Sequence, residues 1–168
     1  MMADHVHRLG PDESRFMHQF INMSMDDRWL NRSPELMRDT FHWFRGEGFH
    51  LIIEDMRARS GEPCIVEGFR LLPDLLKPLL IDTSQAVWLL PTSGFRQSTF
   101  EARRLLTEGF ISKTSDPPRA HLNLMRRDAL FTDRLRDQTQ DLHLYSIEVV
   151  PSLFEDALTQ RIAESFGW

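Results

Sequence analysis

The stretch Ile65-Val66-Glu67-Gly68 sets an acid at the end of an apolar, β-branched run. At the carboxyl edge of a parallel sheet, such a carboxylate can orient a magnesium-bound water or a substrate hydroxyl. A second set of candidates is arginine. Of the twenty Lys and Arg residues only Lys77 and Lys113 are lysine, and the planar fork of the rest suits bidentate contacts to phosphate or carboxylate. Arg96, Arg103 and Arg104 follow the run AVWLLP, and Arg126, Arg127 and Arg134 lie in a helix-like stretch. Solvated helix faces, with Glu101, Asp128 and Asp133 as partners, are the competing explanation for any one of them. The spacing DHVH, with Asp4 and His5, permits a metal site, but no other ligand converges on it and no bound metal is expected. Asp26 and Asp27, beside Trp29, either line a pocket or are an acid pair at a helix start next to a core tryptophan.

The elements that must position these groups follow from periodicity. CIVEG, AVWLL and LYSIEVV are short apolar runs bounded by turn residues, the pattern of buried parallel strands, and they make Cys64 a small buried hydrophobe. Between them lie helix-like segments at 70–80, 94–108 and 117–139, so the alternation predicts one α/β domain over residues 1–168, with helices on both faces of a parallel sheet. SPEL sets a capping serine before a proline at a first helical position, and the spacing from Met37 to Asp55 predicts one helix over 34–58. A break at Gly46 and Gly48, with FHLII as a strand, is the alternative. Leu153, Ala157, Leu158, Ile162 and Phe166 share one face of a terminal helix capped by Ser152, which should pack on the sheet. Residues 1–32 carry weaker signals and read as short helices.

Composition narrows the function classes. A net charge of −5, with 41% apolar and 27% charged residues, fits an ordinary globular domain and argues against a general nucleic-acid or membrane-surface binder. A single cysteine allows no internal disulfide, and no apolar run reaches the length of a membrane span or a signal peptide, so the expected compartment is the cytoplasm.

Taken together, IVEGFRLLPDLLKPLL, AVWLLPTSGFRQSTFEARR and NLMRRDALFTDRLRDQ, with MSMDDRWLNRSPELM and LIIEDM before them, resemble a bacterial group of P-loop kinase-like proteins related to nucleoside and small-molecule kinases. The resemblance covers most of the chain. It implies a three-layer P-loop NTPase-like parallel sheet and ATP-dependent phosphotransfer to a hydroxyl of a small metabolite or nucleoside. On that pattern Glu67 and Gly68 match the second acidic motif, and Asp4 and His5 match the place of an acid that holds or deprotonates the substrate. Asp26 and Asp27 fall at the acceptor pocket, and the six arginines at the phosphates and lid.

The departure from the family is the phosphate loop, whose glycine amides, lysine and hydroxyl hold nucleotide phosphates and magnesium. None of the eight glycines precedes a lysine; the nearest stretch, GFISKTSD, lacks the close-approach glycine and follows the wrong strand. The chain therefore looks like such a kinase truncated at its N-terminus by roughly 35 to 45 residues, on the dimensions of a βαβ unit. ATP and Mg2+ are expected only if an upstream loop exists, and the chain by itself is expected to be inactive or incomplete as a kinase. The alternative reading is a non-catalytic binding or assembly module that forms homo-oligomers through exposed sheet edges. Metal-dependent hydrolysis using Glu67 and DHVH is a third.

Overall fold

The sequence holds twelve phenylalanines and four tryptophans, divided evenly between its two halves. Rings of this size dominate core energetics and prefer edge-on contacts. In the computed structural model, which describes residues 7–59, 61, 64–104 and 107–168, they organise the core. Phe20 meets Trp29 and Phe41 edge-on, Phe41 meets Trp43 and Phe44 in the same way, and Phe44 stacks on Phe131 at 3.6 Å with the planes 5° apart.

Short helices carry these rings. They are α1 (Arg15–Asn22), α2 (Met25–Trp29) and α3 (Pro34–Thr40), then a 3-10 turn (His42–Arg45) and α4 (Phe49–Ala58). Ser24 and Ser33 cap α2 and α3 by accepting the amides of Asp27 and Leu36. The helix expected over 34–58 is thus three pieces, and FHLII is helical. Phe41 turns the chain out of α3 in an extended conformation, and Gly46 and Gly48 take φ of +78° and +73°, where L-residues are strained. A Cβ on Gly46 would also meet Leu75 Cδ1. Gly46→Ala is therefore expected to lower stability by about 2 kcal/mol, from backbone strain plus overpacking; a urea titration reads it, and an unchanged midpoint would refute the assignment.

After α5 (Pro73–Leu76) and two 3-10 turns comes β1 (Trp88–Pro91), then α6 (Ser93–Ala102), a further 3-10 turn (Phe110–Lys113), α7 (Pro117–Asp141), β2 (Ser146–Val149) and α8 (Glu155–Ser165). Asp116 caps α7 through the Arg119 amide. Ala120, Leu124, Arg127, Phe131 and Leu135 recur at three- and four-residue spacing along its buried face. The long crossover α6–α7 brings β2 beside β1 in parallel, with Trp88 opposite Ser146 and Pro91 opposite Val149.

Here the expected architecture is corrected. The protein is mostly helical, and its described sheet is two parallel strands, not a three-layer P-loop NTPase-like sheet. The strands are also not buried on both sides. Paired residues share a face, so Trp88 and Leu90 are buried on the face where Glu148 is exposed, while Ile147 and Val149 are buried on the face where Leu89 is 41% exposed. Each strand is covered on one side only, and on opposite sides. CIVEG, expected as a third buried strand, has no regular secondary structure and belongs to no sheet, and all of residues 64–69 are exposed, Cys64 included. The terminal helix also differs from expectation. It begins after Phe154 instead of Ser152, and none of its residues is buried.

Candidate functional site

The structure gives the candidate residues separate surroundings. Asp4 and His5 lie outside the described residues. Asp26 accepts the Ser115 amide at 2.8 Å, tying α2 to the start of α7. Asp27 sits in the capping turn with Ser24 and Asn31, whose hydrogen bonds hold its carboxyl below the usual range. Both are thus helix-start acids beside a buried Trp29, one of the two readings left open above. Glu67 is exposed in the unpaired segment.

Among the arginines, Arg103 and Arg104 are exposed where α6 ends, Arg104 at φ 48° and paired with Glu108 at 3.3 Å. Arg126 is exposed. Arg134 pairs with Asp39 at 2.9 Å and lines, with Arg45 and Asp74, a cleft of about 210 Å³. Arg96 donates from Nη1 to Pro91 O at 2.6 Å and to Thr132 Oγ1 at 2.8 Å, beside a cleft of about 330 Å³ lined by Ser93, Gly94, Gln97 and Met125. Arg127 is a core residue. Its guanidinium lies 5.1, 4.9 and 5.1 Å from the ring centres of Trp29, Phe41 and Phe44, and Nε and Nη2 donate to Asp128 Oδ1. Arg96, Arg104, Arg127 and Arg134 are thus held by different partners, while Arg103 and Arg126 are exposed.

Two other features of the described residues stand out, an unpaired apolar segment and an open sheet edge. In a parallel ladder, alternate residues send both backbone groups to the same side. Trp88 N donates to Tyr145 O and Thr92 N to Val149 O, so Leu89 and Pro91 face the outer edge of β1, and Ser146 and Glu148 face the outer edge of β2. Pro91 has no N–H, and its carbonyl is taken by Arg96. The β1 edge is thereby interrupted, while Ser146 and Glu148 leave a pair of donors and acceptors along β2. Against this stands the segment 64–68, which lies in no helix or strand, with Ile65 73% exposed and Val66 beside it.

Sequence reasoning missed a buried polar group around the 3-10 turn. His42 has no exposure and packs against Phe20, Phe41 and Trp43; burial, with the charge of Arg70 adding to it, pushes its imidazole down to about 4. Arg70 is 7% exposed, with Nη2 donating to Gly48 O at 3.2 Å. The only sequence signal was the density of aromatics in FHWFRG, which reads as core.

Among the described residues no cluster of His, Cys, Asp and Glu could hold a metal ion, and no helix is long and apolar enough to cross a membrane. Comparison of the chain with protein-family models, with curated proteins and with solved structures finds no match. With a two-stranded sheet in a mostly helical chain, this overturns the resemblance to P-loop kinase-like proteins, on which the expectation of ATP and Mg2+ rested.

Proposed function

We propose that the protein is a non-catalytic assembly module that forms homo-oligomers by strand pairing, the 64–68 segment of one copy adding to the outer edge of β2 in another. The observation that carries this is the exposed, apolar run at Ile65 and Val66, which has no ladder partner among the described residues. Extended backbone with apolar side chains pairs readily with an open edge, because backbone groups supply affinity and alternate side chains supply register. A second copy is the fitting occupant because each chain carries both halves of the contact. Two reciprocal additions close a symmetric dimer. The cytoplasm suits such a module, since an exposed Cys64 stays reduced there.

Sedimentation over a hundredfold concentration range should show a monomer–dimer shift, with stability rising as protein concentration rises. Ile65→Lys should weaken the association at least about tenfold, a change of roughly 1.4 kcal/mol, and leave the circular dichroism of the monomer unchanged, since Ile65 makes no buried contact. A wild-type monomer throughout the range would sink the proposal.

A further inference from the structure

We infer that Arg70, Trp43 and His42 form a binding site within one chain for a small oxyanion, a carboxylate or phosphate group, covered by Phe69. This goes beyond strand pairing and does not depend on it.

Arg70 carries a charge that no neighbouring acid compensates among the described residues. Two of the Arg70 guanidinium nitrogens, Nε and Nη1, are buried and meet no acceptor, and the bonds of the third are to the backbone carbonyls of Gly48 and Glu47. No carboxylate pairs with it among the described residues, and burial is what shifts its proton affinity, with no acid opposing it. A buried cation without a counter-charge is costly, and a binding partner of opposite sign recovers that cost.

The neighbours of Arg70 extend the same preference. Trp43, whose ring centre is 5.5 Å from the guanidinium carbon, has a buried indole N–H without an acceptor, and both ring nitrogens of buried His42 are equally unpartnered. Indole and guanidinium can only donate, so the cluster selects an acceptor. It repels metal cations through Arg70. Donors spread over three side chains match a group with more than one oxygen better than a halide, and a charged acceptor strengthens each bond. Water would satisfy single donors but would leave the charge in place.

Access is built into the segment that the strand reading singled out. Phe69 lies 5.3 Å from the Trp43 ring and 6.2 Å from Phe44, yet it is half exposed, so it forms the outer layer over the cluster. Gly68 before it has φ of +154°, a conformation open to glycine, and nothing lies within 4 Å of where its side chain would sit.

The test is titration of the wild-type chain with sodium acetate and, separately, sodium phosphate, at constant ionic strength set by chloride. The readouts are the Trp43 indole N–H signal and the melting temperature. A saturable shift of that signal with a parallel rise in melting temperature is expected, and the salt that produces it tells carboxylate from phosphate. Arg70→Met, near in shape and uncharged, should fold and lose both responses. Trp43→Phe keeps the ring contacts and should weaken binding about tenfold, as loss of one charge-assisted bond predicts. The absence of any saturable response up to about 50 mM, where a millimolar site would fill, would overturn the inference. So would an undiminished response in Arg70→Met, or in Trp43→Phe should the first variant not fold.

Discussion

Lowering the pH from 7 to 4 should cost the protein about 3 kcal/mol of stability through His42 alone. The imidazole is buried among Phe20, Phe41 and Trp43 beside the Arg70 cation, and its affinity for a proton falls to about 4. In the unfolded chain the same ring protonates near 6.5. Between these values the unfolded state binds more protons than the native one, so stability is complete above about pH 6.5, declines as pH falls, and levels off for this group below about 4. His121, also held down by burial, contributes in the same direction. Urea titrations at pH 7 and pH 4.5 on wild type and His42→Leu separate the two. The variant should be at least as stable as wild type at pH 7, since it removes two unpaired ring nitrogens. It should lose most of the pH dependence; equal slopes in the two proteins would remove His42 from the account.

Arg127→Ala should destabilise by about 3 to 4 kcal/mol, whereas Arg126→Ala next to it should change stability by less than about 0.5 kcal/mol. Arg127 fills space among three rings and is anchored by Asp128, and truncation leaves a cavity and forfeits the attraction of cation for ring faces. Arg126 is exposed on the same helix. Thermal melts of the pair settle it. Were Arg127 a solvent-facing lid residue, neither variant would change melting much.

The contrast between these neighbours was partly legible. Leu124, Arg127, Phe131 and Leu135 lie three and four residues apart, and that spacing alone places Arg127 on the apolar stripe of α7. Caps were legible because they are local: Ser33 before Pro34 starts α3 as its residue types require. AVWLL and SIEVV contain strands that pair in parallel, as their runs suggest. CIVEG failed for a physical reason, since an apolar extended run reads alike whether or not a neighbour covers it. The covering neighbour is a tertiary fact. The terminal helix failed in the same way: its apolar face is real, but nothing packs it to burial. His42 and Arg70 were invisible because nothing local marks a polar side chain that tertiary packing will enclose.

The bond from Arg96 to the Pro91 carbonyl has a consequence for how far association can run. A sheet open on both sides is a template that can be extended without limit, each added strand exposing a new edge. Here the β1 side lacks an amide hydrogen at position 91 and has its carbonyl occupied, so the sheet is open to extension on one side only. The proline and the arginine together therefore act against extension through β1, and they do so from within the sheet itself.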